Sequence, residues 1–139
     1  MNKRIRYKYK VVNSDDYSFV TTTTKYRKLY KKGTIVKATP GSDGIMLFKR
    51  KVDALIFLGP NRAHGKIKRV ITYGPGKRIT IVCENPGNTR MMNRYYSAKK
   101  KINIDSLSSS DFRAKKTFIK LMIYAPSNTW GYEAVKVID

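Results

Sequence analysis

Three segments of the chain interleave cations with aromatic rings. The first is Lys3-Arg4-Ile5-Arg6-Tyr7-Lys8-Tyr9-Lys10, and the second is Lys25-Tyr26-Arg27-Lys28-Leu29-Tyr30-Lys31-Lys32. The third runs from Arg90 to Lys101 and contains Arg94-Tyr95-Tyr96 and Lys99-Lys100-Lys101. Lysine and arginine neutralise phosphates, and a tyrosine ring can stack on an unpaired base. The candidate polyanion-binding residues are therefore Arg4, Arg6, Lys8, Lys10, Lys25, Arg27, Lys28, Lys31, Lys32, Arg94, Lys99, Lys100 and Lys101. If Arg4, Arg6, Lys8 and Lys10 share a strand face, their charges repeat about every 7 Å, close to the phosphate spacing of a single strand. The competing reading is a solvated outer face with the tyrosines turned into the core. For the triple-lysine segment an anionic partner is the preferred reading. Neutralising its three lysines should flatten the salt dependence of binding by up to about 3 in log–log slope.

Other chemistry finds little to work with. Cys83 and His64 are the only cysteine and histidine, which is too few for a usual structural zinc site. Cys83 ends the run Ile79-Thr80-Ile81-Val82, so it reads as a small buried hydrophobe in a strand and not as a nucleophile. His64 lies between Asn61-Arg62-Ala63 and Gly65-Lys66, the composition of an exposed loop. Asp15-Asp16 is the only adjacent carboxylate pair, and its setting is that of a turn. Gly41, Gly44, Gly74 and Gly76 match neither a P-loop nor a dinucleotide fingerprint. No catalytic residue, metal site or cofactor is expected.

Composition points the same way. Thirty Lys and Arg face nine Asp and Glu, for a net charge of +21, with basic residues occurring from Lys3 to Lys136. Such a chain repels itself when compact, so the excess points to a polyanion, an anionic membrane or an acidic protein surface, with solubility alone as the competing explanation. Hydrophobic content of 41% argues for a folded core, and the length fits a single domain over residues 1–139. A lone cysteine fits a reducing compartment, or a particle assembled in one. The N-terminus is too polar for a secretory signal, and no apolar run approaches the ~20 residues of a membrane helix.

The elements that would position these residues are mostly strands. Arg4 to Val12 alternates, with Ile5, Tyr7, Tyr9 and Val11 on one face and the cations on the other. Tyr17 to Thr24 is a second candidate strand. Tyr26 to Tyr30 and Thr34 to Ala38 read as a hairpin around Gly33. A turn at Pro40 to Gly44 leads into a short strand, Ile45 to Phe48. The spacing of Val52, Leu55 and Ile56 then predicts a short helix over Lys49 to Leu58, closed by Gly59-Pro60. Lys66 to Tyr73 and Lys77 to Glu84 are strands around Gly74-Pro75-Gly76. Asn85 to Asn93 reads as a loop, Tyr95 to Ile104 is ambiguous, and Ser106 to Asp111 is polar. The Ser/Asp cluster could cap a helical turn at Phe112 to Lys116. Thr117 to Tyr124 and Trp130 to Ile138 are the last predicted strands. The expected fold is α+β, a mainly antiparallel β single domain with one short helix near residues 49–58.

Several stretches resemble small uncharacterised domains encoded by large DNA viruses and phages. They are Tyr9-Lys10-Val11-Val12, Tyr30-Lys31-Lys32-Gly33 and Gly44-Ile45-Met46-Leu47-Phe48-Lys49, the last leading to Ala54 and Phe57. Ala125-Pro126-Ser127-Asn128-Thr129 and Tyr132-Glu133-Ala134-Val135-Lys136-Val137 complete the pattern. The resemblance implies a viral source and carries no catalytic residue.

The expectation is a non-enzymatic structural component of a large particle, such as a minor capsid or internal virion protein. Its cationic face would meet nucleic acid or an acidic shell surface. The alternative is a free, sequence-nonspecific nucleic-acid-binding protein, for example a ribosome-associated one. Expected partners are other subunits of an assembly and nucleic acid, without integral membrane insertion. The expected location is a virion or the host cytoplasm.

Overall fold

Nine strands and three helices follow one another in a computed structural model that describes residues 6–19, 26–60, 64–84, 88–102 and 112–139. Their order is β1 (Lys8–Asn13), β2 (Ile35–Lys37), β3 (Ile45–Phe48), α1 (Lys51–Leu58), β4 (Gly65–Tyr73), β5 (Lys77–Arg78) and β6 (Ile81–Cys83). Then come α2 (Thr89–Lys99), α3 (Phe112–Leu121), β7 (Met122–Tyr124), β8 (Thr129–Tyr132) and β9 (Ala134–Val137). The fold is a single α+β domain, mainly antiparallel β, with the expected short helix in place at α1.

Seven strands form one antiparallel sheet in the order β2-β9-β4-β1-β3-β8-β5. This order dictates its shape. β8 and β9 are separated only by Glu133, yet they lie four ladder steps apart. In a flat sheet that is roughly 19 Å at the usual strand spacing, whereas two residues of chain reach about 7 Å. The sheet must therefore curl until β8 and β9 meet at the Glu133 corner, a small barrel closed by chain continuity. Gly131 stands where the wall is tightest. A Cβ there would collide with the backbone carbonyl of Asp43, so only glycine fits.

The barrel interior holds Val12, Tyr30, Val36, Ile45, Leu47, Val70, Tyr132, Val135 and Val137. The outer face of β1, β3 and β4 is covered by α1, through Val11, Phe48, Ala54 and Leu58. Both faces of β1 are thus occupied, which changes the meaning of its alternation. Val12 shares the inner face with Lys8 and Lys10, so the cationic face of this strand looks into the barrel and not outward.

A second core packs α2 and α3 on the β6–β7 ladder, using Cys83, Met92, Tyr95, Ala98, Ala114, Phe118 and Leu121. Tyr95 stacks on Phe118 at 5.3 Å between ring centroids. Cys83 is buried here, as its strand context predicts, and His64 is exposed in a turn before β4.

Several expectations are corrected. Thr34 to Ala38 forms no hairpin with Tyr26 to Tyr30, because β2 pairs with β9; the left-handed Gly33 (φ 82°) makes the bend only. Residues 26–30 contribute the single bridge Tyr17↔Leu29. Lys77 to Glu84 is two strands in different sheets, and Trp130 to Ile138 bends at Glu133 into two more. The end of the expected loop, residues 89–93, begins α2. Asn88 caps that helix, its side chain accepting from the Met91 N–H at 3.1 Å. Thr117 to Leu121 is helix and only Met122 to Tyr124 is strand. Readings placed on residues 20–24, 85–87 and 103–111 lie outside the described residues.

Candidate nucleic-acid interface

The acidic residues decide where positive charge is left over. Asp16 accepts Lys66 at 2.5 Å and Lys68 at 3.2 Å. Asp53 accepts Arg50 at 3.1 Å, and Asp139 accepts Arg69 at 2.8 Å. In each case the neighbouring cation holds the carboxyl below its ordinary range. All three carboxylates lie in or against the barrel. Asp43, at the junction of barrel and helices, takes the Lys99 ammonium. From Thr89 to Ile102 and through α3 there is no acidic residue, while Arg90, Arg94, Lys99, Lys100, Lys101, Arg113, Lys115, Lys116 and Lys120 are all basic.

The helix pair organises part of this charge. Burial of Met92, Tyr95 and Ala98 on α2 and of Ala114, Phe118 and Leu121 on α3 turns the remaining faces outward. Between the helices runs a groove of about 340 Å³, lined by Asn93, Arg94, Ser97, Ala98, Lys101, Arg113, Ala114 and Thr117. Two guanidinium groups and one ammonium surround a floor of small residues with amide and hydroxyl side chains, and among the described residues no carboxylate lines it. Arginine and lysine beside neutral donors are the donor set that phosphate oxygens accept.

A second basic recess, about 350 Å³, lies beside β2 and is lined in part by Arg27, Lys28, Lys31 and Lys37. Arg27 is held by its guanidinium lying 3.7 Å above the Tyr17 ring. Lys32 is exposed in the adjoining turn.

The other sequence-derived candidates separate. Arg4 and Lys25 lie outside the described residues. Arg6 is exposed just ahead of β1, and Lys8 is half-buried. Desolvation, with Lys49 and Arg6 nearby, lowers the Lys8 pKa. Lys10 gives its ammonium to the Met46 carbonyl at 3.1 Å, and burial pulls its pKa down to about 8. Of the described cations in the comb along β1, Lys10 is drawn inward and Lys8 partly so, while Arg6 stays exposed. The three consecutive lysines diverge as a helix end requires: Lys99 goes to Asp43, Lys101 lines the groove, and Lys100 is exposed at the C-cap. The tyrosines of these segments are largely structural. Tyr30 and Tyr95 are core residues, and Tyr96 packs against Tyr26 at 5.7 Å.

Arg113, Lys115, Lys116, Lys120 and Lys37 were outside the sequence-derived set. The signal for the α3 residues was the apolar spacing Ala114, Phe118, Leu121, which marks a helix with cations on its other faces. Among the described residues no three His, Cys, Asp or Glu gather as a metal site, and no helix is long and apolar enough to cross a membrane. No family model matches the chain, and neither a curated protein nor a solved structure matches it.

Proposed function

We propose that the protein is a sequence-nonspecific nucleic-acid-binding component, with the groove between α2 and α3 taking the phosphate backbone. The observation that carries this reading is the groove's make-up. Arg94, Lys101 and Arg113 converge on it, Ser97 and Thr117 supply hydroxyls, and acidic residues are absent from both helices. Backbone contacts of this kind give affinity without base readout. The test is fluorescence anisotropy with labelled oligonucleotides of unrelated sequence over a range of salt. The expected result is similar affinity for all sequences and a steep loss with salt. Salt-independent affinity, or a strong preference for one sequence, refutes the reading.

Membership of a larger particle is the second element of the proposal. Ile35 is 59% exposed on β2, an edge strand of the large sheet, and Ile56 is 72% exposed on α1. An open edge with an exposed apolar side chain can add a strand from a neighbouring subunit. Mass in solution, measured with and without nucleic acid at low and high salt, separates the cases. A free binder stays monomeric and holds nucleic acid alone, whereas a particle component self-associates or needs its neighbours.

A further inference from the structure

Between the barrel and the helical pair lies a cleft of about 510 Å³. Its size falls within the range of small-molecule sites, and its walls are largely apolar and aromatic. Phe19, Tyr26, Phe48, Phe57, Tyr96 and Tyr124 contribute rings. Lys10 also lines it. We propose that this cleft binds a small organic anion with an aromatic or aliphatic body, whose charged group pairs with the Lys10 ammonium.

The argument rests on an ion without a counter-ion. The Lys10 ammonium donates to the Met46 carbonyl and sits 5.2 Å from the centre of the Tyr30 ring. Neither contact neutralises a charge. Lys68 lies directly opposite Lys10 on β4, but Asp16 is within 3.2 Å of the Lys68 ammonium. No carboxylate among the described residues pairs with Lys10 in this way. A half-buried charge left unpaired carries a desolvation cost, and an anion entering the cleft would relieve it. Lys28 lines the same space and adds a second positive charge. Glu84, the acidic residue of the lining, is exposed. Desolvation lowers the pKa of Lys10 to about 8, so at neutral pH it is still mostly charged and able to serve as the partner.

This site is separate from the α2–α3 groove, and its test keeps the two apart. The probes are anilinonaphthalene sulfonate, an aromatic anion, and phenylnaphthylamine, its uncharged counterpart. Both are titrated by fluorescence at about 0.5 M salt, where surface cations are screened. The intact protein should bind one equivalent of each. Lys10→Met keeps the side-chain bulk and removes the charge. It should weaken the sulfonate by about tenfold or more and leave the neutral amine unchanged. Ala125→Trp, on the cleft wall, should abolish both. Excess duplex oligonucleotide should displace neither. Cooperative melting verifies each variant; if Lys10→Met does not fold, Lys10→Gln takes its place with the same expectation. Equal sulfonate affinity in the Lys10 variant, absence of saturable binding, retention of both probes in Ala125→Trp, or displacement by the duplex would each overturn the proposal.

Discussion

The α2–α3 groove makes a quantitative prediction about salt. Replacing Arg94, Lys101 and Arg113 together by Gln removes the three cations of one groove and leaves both buried helix faces intact. If all three touch phosphates of a duplex, the slope of log affinity against log salt should flatten by about 2.7. Between about 50 and 200 mM salt, those contacts alone account for roughly a fortyfold loss of affinity, which the variant would no longer show. The comparison that sharpens the test is Lys99, Lys100 and Lys101 to Gln. That triple variant also removes three charges, but only Lys101 lines the groove, while Lys99 is held by Asp43. Its slope should flatten by about 0.9 from the groove contact. Anisotropy titrations of both variants at matched salts provide the measurement. Equal flattening in the two would mean that overall charge, and not the groove, governs binding. An unchanged slope in the groove variant would refute the interface outright.

Three further outcomes follow from the interior. Lys10 has its pKa pulled from 10.5 to about 8, so between those values the unfolded chain holds the extra proton and stability should rise with pH; the full displacement corresponds to roughly 3 kcal/mol, and Lys10→Met should remove this rise in urea melts from pH 7 to 10. Asp16→Asn keeps a residue type that tolerates the left-handed backbone at this position (φ 70°) but deprives Lys66 and the buried Lys68 of their carboxylate. It should cost about 1–2 kcal/mol near neutral pH. The difference from the parent should vanish as pH falls through the lowered Asp16 pKa, below the ordinary 3.8. Gly131→Ala should lose about 1–3 kcal/mol by thermal or urea melting, because its methyl meets the Asp43 carbonyl; a variant as stable as the parent would contradict the tight barrel corner.

What could be read from sequence was what is local. Ile45 to Phe48, the helix at Lys51 to Leu58 and the long strand to Tyr73 announced themselves through period and through flanking Gly and Pro. Pairing was not local. The bend at Gly33 is real, but β2 finds its partner at the far end of the chain. The two hidden helices had weak signals because their buried stripes are built from Met, Tyr and Ala as much as from Leu and Phe, with cations on the remaining faces. Asn-Pro-Gly-Asn also reads as a loop, although its last residue is a helix cap. Turn formers and N-caps are the same residue types for the same reason, a side chain that bonds to nearby backbone. The helical turn read at Phe112 to Lys116 is the first half of α3, but α2 and the rest of α3 do not read as helix, and that is why the groove was missed. Arg94 and Lys101 were visible as cations, but only helical spacing places them on one side with Arg113.

The placement of the carboxylates gives the charge excess its meaning. Three acidic residues, Asp16, Asp53 and Asp139, pair with cations of the barrel, and Asp43 fastens the helices to it through Lys99. The helix pair itself carries its cations without a single acidic residue among them. Like charges held on two packed helices repel one another, a cost that glutamates at helical spacing would offset at little expense to packing. Their absence leaves Arg94, Lys101 and Arg113 around a groove for which no carboxylate is found among the described lining residues. On the proposed reading an external polyanion would relieve that repulsion, and the counterions it releases would provide the binding energy.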